Sequence, residues 1–288
     1  MTTLDDFLPR PGRGAGFKLG QDGALLLQGV LEQAAPSGAR PLVSCLIVTR
    51  GRLFPARFAV DCFRAQLWPE RELVLVCDAP GTAIETYCHA LGDERIRIVT
   101  PDTPLASLGQ LRNLSLGAAR GEWVCQWDDD DLYHPDRIGL GMRVAQALHA
   151  DALFLARWML WAPGTRRIGV SGAREWEGSM LARRAAVPPY PALARGEDTA
   201  VMQAMLARGR VALLDAPWLY TYVQTGANTW TGQHFEAIWQ AASLVEPPAR
   251  YDATLASLAP AGPYADYAHA AAQAGAAHAS SQQPAAGG

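Results

Sequence analysis

Four short apolar runs, separated by stretches of helical periodicity, constrain this chain more than any other feature. Residues 42–49 (L-V-S-C-L-I-V-T), 72–78 (E-L-V-L-V-C-D), 96–100 and 122–127 are too short for buried helices and read as buried strands. Between them, 54–67, 82–91 and 108–119 carry apolar residues at helical spacing, for example Phe58, Cys62, Phe63 and Leu67. Thr82 suits a helix cap, and Gly121 follows the third helix. Strand–helix alternation of this kind predicts an α/β fold. Its mainly parallel sheet has helices on both faces, in the Rossmann-like manner.

The pattern changes after Asp131. Pro135 opens a helix running to about residue 149. Residues 152–160, 167–170, 179–182, 211–214 and 219–223 read as strands, and 197–208 and 234–244 as helices. The expected organisation has four parts. Residues 1–40 form a Gly- and Pro-rich N-terminal extension with little structure of its own. A first half of the domain spans about 41–131 and a mixed half about 132–246, around one continuous sheet. Residues 247–288 form a low-complexity tail, rich in Ala, Gly, Ser and Gln from about 259, expected to be disordered.

The fourth strand runs straight into Asp128, Asp129, Asp130 and Asp131. The carboxyl ends of strands are where open α/β sheets bind ligands. Adjacent carboxylates raise one another's pKa unless a cation compensates, and hard divalent ions take oxygen ligands. A solvated acidic loop is the simpler alternative, but the apolar W-V-C-Q-W before the run ties it to the core. Other acidic-site readings fit poorly. An EF-hand needs a glycine at a fixed offset that is missing. A P-loop needs G-x-x-x-x-G-K-[ST], and Lys18, the single lysine, sits in F-K-L. An aspartate-nucleophile phosphatase usually uses a downstream lysine. A dinucleotide fold needs G-x-G-x-x-G after the first strand, where T-R-G-R-L-F-P stands instead.

The ordered segments P-L-V-S-C-L-I-V-T, E-L-V-L-V-C-D, L-R-N-L-S-L-G-A-A-R-G-E-W-V-C-Q-W-D-D-D-D-L-Y-H-P-D-R, G-S-M-L-A-R-R and G-E-D-T-A-V-M-Q-A-M-L-A-R-G resemble the inverting glycosyltransferases of family 2, with the GT-A fold. The resemblance covers about 41–245. It implies a nucleotide half before Asp131 and an acceptor half after it. It places Thr49 beside a nucleobase, lets Asp78 accept a hydrogen bond from that base, and turns Arg112 and Asn113 towards the nucleotide. It sets Asp128, with Asp129, against the donor, and Asp128 and Asp130 on Mn²⁺ or Mg²⁺, with Asp131 helping. Asp198 becomes the base that takes the acceptor's proton, with Glu197 next in line. Glu175 and Trp176 would line an acceptor pocket, and His234 would join the metal or diphosphate site. The bland readings are an ordinary turn for Asp78, an exposed helix face for Asn113 and a dipole-favoured helix start for Glu197 and Asp198.

The resemblance implies a nucleotide-sugar donor, a UDP-sugar first, and an acceptor hydroxyl on a glycan, lipid or protein. Processive members carry Q-x-x-R-W and flanking membrane helices. Neither is found, so one sugar per encounter is expected. A nucleotidyltransferase of similar sheet architecture and a non-catalytic module of the same fold are the alternatives. The former usually has a Gly-rich basic loop after the first strand. A net charge of −3 gives no basic stripe, so no nucleic-acid partner is expected. Five cysteines without C-x-x-C spacing read as buried thiols in a cytosolic protein. The longest apolar stretch, about 152–163, is interrupted by Arg157 and is too short to cross a bilayer. A cytoplasmic place, free or peripheral to a membrane, follows.

Overall fold

The computed structural model describes residues 2–8, 16–19, 24–26, 40–103, 105–226, 228–230 and 232–281. Two short strands, β1 (Gly16–Leu19) and β2 (Ala24–Leu26), precede the main run. The run alternates β3 (Val43–Thr49), α1 (Leu53–Arg64), β4 (Arg71–Cys77), α2 (Ala83–Leu91), β5 (Ile96–Val99), α3 (Leu108–Ala118) and β6 (Trp123–Gln126). Then come β7 (Leu132–Tyr133), α4 (Arg137–Ala147), β8 (Ala152–Leu155), β9 (Met159–Ala162), β10 (Arg167–Val170) and β11 (Trp176–Arg183). α5 (Glu197–Arg208), β12 (Val211–Asp215), β13 (Tyr220–Val223), α6 (Gly232–Gln240), β14 (Leu244–Val245), α7 (Tyr251–Leu258) and α8 (Tyr264–Ser281) complete the chain.

The large sheet has the order β2-β1-β12-β8-β11-β6-β3-β4-β5. β3 pairs in parallel with β4 and β6, and β4 with β5. β11 runs against both β6 and β8, and β1 against β12. The sheet is therefore mixed and mainly parallel, as the alternation predicts. Side chains of β3 alternate between two cores. Cys45 and Ile47 join α1, α2 and α4 on one face; Leu46 joins Leu111 of α3 and Met202 of α5 on the other. Thr82 caps α2 by accepting from the Glu85 amide, as expected. All five cysteines are buried and free.

Three expectations need correction. The run 152–160 is two strands in different sheets, not one: β9 belongs to a second sheet, β14-β10-β9-β13-β7. The chain turns at Ala156, whose amide bonds Leu214 and whose carbonyl accepts from Arg174. Both halves are apolar and both are buried, and Arg157, which interrupts the run, lies at the break. The extension is not uniformly without structure. β1 and β2 lengthen the large sheet beyond β12, and the Leu4 amide donates to buried Glu246 at 2.6 Å. The other residues between 9 and 39 lie outside the described residues. The tail is not disordered over 247–281, where α7 and α8 bury Tyr251, Leu258, Tyr264 and Tyr267 in the main core. Four large side chains anchor what the surrounding Ala-rich composition could not. Residues 282–288 lie outside the described residues. Among the described residues no helix is long and apolar enough to cross a membrane.

Candidate active site

The aspartate run leaves β6 at the carboxyl end of the parallel strands and turns into β7. The turn is held from several sides. Tyr133 accepts from the Asp128 amide at 2.6 Å, and its ring stacks on Trp127 at 3.8 Å. Thr49, buried at the end of β3, donates to Asp129 Oδ2 at 2.5 Å. Asn228 donates to Asp130 Oδ2 at 2.8 Å. Asp131 faces inward. Tyr220 donates to one of its oxygens at 2.5 Å and the Val223 amide to the other at 2.8 Å.

These bonds separate the four carboxylates. Asp131 is buried and accepts from β13 at both oxygens, so it fixes the turn, and it also lines the cleft. Asp128, Asp129 and Asp130 are half-buried. Burial, then the charges of Asp129 and Asp128, push the Asp130 carboxyl up to about 8. Burial also raises Asp129. Such a run holds its full negative charge at neutral pH only with cationic compensation.

Arg112 of α3 supplies one part of that compensation. Its buried guanidinium donates to Asp128 Oδ1 at 3.0 Å and to Glu197 Oε1 at 2.7 Å. With its amide turned so that the oxygen faces the guanidinium, Gln126 also accepts from Arg112 at 3.2 and 3.3 Å. One side chain thus ties the end of β6 to the start of α5. Gly196 precedes α5 in the left-handed region, with φ of 74°, which glycine adopts freely. Glu197 turns inward from there and is 1% exposed. Asp198 turns into the cleft and accepts from the Thr199 amide at 2.9 Å. Burial raises its pKa; Arg112 opposes this, and Asp128 and Glu177 add to it.

A cleft of about 150 Å³, open to solvent, lies between these elements. Asp128, Asp130, Arg112 and Asp198 line it, with Trp158, Trp176, Tyr222 and Trp230 as aromatic walls. Gly178 lines it too. A methyl group there would stand 3.1 Å from Asp128 Oδ2 and 3.2 Å from the Trp158 ring, so a side chain would press both aside by a few tenths of an ångström.

Most of the residues singled out from the sequence meet here. Thr49 touches Asp129, and Trp176 and His234 face the cleft. The His234 ring stacks on Trp230 at 4.3 Å, and burial followed by Arg174 lowers its pKa. Glu175 and Asp78 are not among the lining residues; Asp78 is exposed at the end of β4, beside Thr49. Asn113 departs from the nucleotide-facing expectation. Its amide clamps the backbone of Tyr190, donating to the carbonyl and accepting from the amide, both at 2.8 Å. Asn113→Ala is expected to destabilise the fold by about 2 kcal/mol, because two buried backbone groups lose their partner. Denaturant unfolding and ligand titration of the folded variant would check this; a selective loss of nucleotide affinity would show that Asn113 serves the ligand instead.

Arg174, Glu177, Asn228 and Tyr220 are site residues the sequence reading did not name. Asn228, in T-G-A-N-T-W, carries a turn signal that suits a polar loop as well as a ligand clamp.

Residues 44–172 match the family model described as glycosyl transferase family 2. That segment is similar to glycosyl transferase family 2. Among curated relatives, the succinoglycan biosynthesis protein ExoO of Rhizobium meliloti (strain 1021) is 35% identical over 93 residues, 32% of this chain and 26% of that protein. The putative colanic acid biosynthesis glycosyl transferase WcaA of Escherichia coli (strain K12) is 28% identical over 118 residues, 40% of this chain and 42% of that one. The chain thus spans well under half the length of these curated relatives. In solved structures, S. aureus TarS 1–349 in complex with UDP-GlcNAc superposes with a TM-score of 0.54 at 16% identity, covering 73% of this chain and 69% of that one. The mannosyltransferase PcManGT from Pyrobaculum calidifontis, in complex with GDP-Man and Mn²⁺, gives 0.51 at 18% identity, covering 84% and 81%. These likenesses show that the chain shares the GT-A fold. The matched segment runs from β3 to just beyond β10.

Proposed function

We propose that this protein transfers a sugar from a nucleotide-diphosphate donor, a UDP-sugar first, to an acceptor hydroxyl, with inversion and one sugar per encounter. One observation carries the reading. Arg112 joins Asp128 to Glu197, and so brings the aspartate turn and Asp198 to opposite walls of a single cleft. Donor and base must meet across such a cleft. The names of the similar proteins agree with the reading, since they include UDP-GlcNAc, GDP-Man and polysaccharide biosynthesis.

No group of three His, Cys, Asp or Glu side chains converges among the described residues. The chemistry nevertheless fits, because Mg²⁺ typically takes one or two protein carboxylates and completes its shell with substrate phosphates and water. Asp128 and Asp130 would hold the ion; the raised Asp130 carboxyl is the strained group that a cation relieves. A bound divalent cation stabilises charge gathering on a departing diphosphate. Asp198 accepts the proton of the acceptor hydroxyl while its oxygen bonds to the anomeric carbon and the bond to the diphosphate breaks. A single displacement of this kind inverts that carbon. Of the two acids opening α5, Asp198 is the one without a hydrogen bond to Arg112, and its raised pKa suits a base.

A thermal-shift screen of UDP-, GDP-, dTDP- and CMP-sugars tests the reading. A UDP-sugar with Mn²⁺ is expected to raise Tm, and to raise it much less with chelator, because ligand binding stabilises the folded state by mass action. No shift with any nucleotide sugar would overturn it.

A further inference from the structure

The C-terminal helix packs behind the aspartate turn from outside the segment that matches the family model. Tyr264 and Tyr267 lie three residues apart on α8 and present to one side, the expected consequence of helical spacing. Both are buried. Tyr267 donates to the Asp130 carbonyl at 3.4 Å. Its ring packs on Phe54 at 5.2 Å, Phe58 at 4.9 Å and Trp161 at 5.4 Å. Tyr264 shares a hydrogen bond of 2.6 Å with Thr221 of β13. On either side of Thr221, Tyr220 and Val223 grip Asp131.

We infer that α8 is a brace for the aspartate turn, with Tyr267 a positioning residue for Asp130 and Tyr264 for the strand that holds Asp131. The two tyrosines act at different points on one turn. Tyr267 fixes the backbone at Asp130, and with it the direction in which that carboxylate points. Tyr264 fixes the register of β13, which sets Asp131 from below. A turn of four acidic residues tends to open, since like charges gain by separating. Hydrogen bonds from neutral hydroxyls to its backbone and supporting strand resist that opening without adding charge. The inference rests on the proposed metal-assisted reading for its consequence, though not for the brace itself.

The test compares the full chain with Tyr267→Phe and Tyr251→Phe. Both variants keep their rings and lose one buried hydroxyl. Tyr251, on the same C-terminal segment, accepts from Trp161 Nε1 at 3.0 Å and, among the described residues, makes no hydrogen bond to the turn. Hydrogen exchange would be followed in a peptide covering 127–133, and Mn²⁺ affinity by electron paramagnetic resonance in the presence of UDP. Tyr267→Phe is expected to speed exchange of that peptide and to weaken Mn²⁺ binding about twofold, the worth of a long hydrogen bond. Tyr251→Phe is expected to do neither, at similar Tm. Equal behaviour of the two variants in the 127–133 peptide would overturn the brace. Failure of the wild type to bind Mn²⁺ with UDP would count against the proposed function, and the exchange comparison would still decide the brace.

Discussion

Asp198→Asn is expected to abolish sugar transfer while leaving nucleotide-sugar binding within about twofold of wild type. The loss should be about a thousandfold, the middle of the range for a general base. An amide has no basic oxygen for the acceptor proton, yet it is isosteric and its oxygen can still accept from the Thr199 amide, as the carboxylate does at 2.9 Å. Donor contacts should survive because the aspartate turn and Arg112 are untouched. Single-turnover transfer with the donor found by thermal shift, beside titration of the same donor, would check both halves. Full activity in Asp198→Asn would move the base elsewhere. A matching loss of donor affinity would make Asp198 a binding group.

The same residue fixes a pH dependence. Burial raises the Asp198 pKa, with Arg112 pulling the other way. A base must be ionised, so transfer should fall as pH drops through the raised value, and the acid limb should lie above the ordinary carboxylate range. The stability sign is opposite. A carboxyl whose pKa is raised by folding costs stability once pH exceeds its unfolded value, because the fold disfavours the charge. Asp198→Asn removes that cost, so the inactive variant should be at least as stable as wild type near neutral pH. A variant both inactive and unstable would point to a structural role.

The order of strands and helices was legible because periodicity reports burial, and burial follows the sheet. β3, β4, β5 and β6 fall within a residue or two of the apolar runs, and α5 spans the predicted 197–208. The cleft was legible in part. Asp128 and Asp198 were visible as carboxylates beside a strand end and a helix start. What no local pattern could show was how the pieces lock. Arg112 meets Glu197 across 85 positions, and Asn113 meets Tyr190 across 77. A helix residue facing an unseen loop looks the same in sequence as one facing a ligand. Within the run of four aspartates the division of labour was equally hidden, since Tyr220 and Val223 claim Asp131 from a distant strand. The tail failed for another reason. Its Ala- and Gly-rich composition outweighed Tyr251, Tyr264 and Tyr267, whose large buried faces decide its structure.

Replacing Arg112 should produce the largest combined loss of stability and donor binding. Arg112→Met keeps much of the aliphatic volume and deletes the buried cation. Asp128 and the 1%-exposed Glu197 then face each other's charge with no partner between them. Breaking a buried ion pair from one side costs about 3–5 kcal/mol, because the stranded charge stays desolvated. Denaturant unfolding should show this loss, and donor titration with Mn²⁺ should show binding weakened beyond about a hundredfold. The two effects have separable causes. Adding Glu197→Gln removes one stranded charge, so the double variant should recover more than half of the lost stability, and the cycle should reveal strong coupling. It should not recover donor binding, since Asp128 would still lack the guanidinium that orients its carboxylate towards the cleft. Recovery of both together would reduce Arg112 to a structural tie between β6 and α5. Recovery of stability alone would show that one guanidinium both joins the two halves of the domain and aims the aspartate that meets the donor.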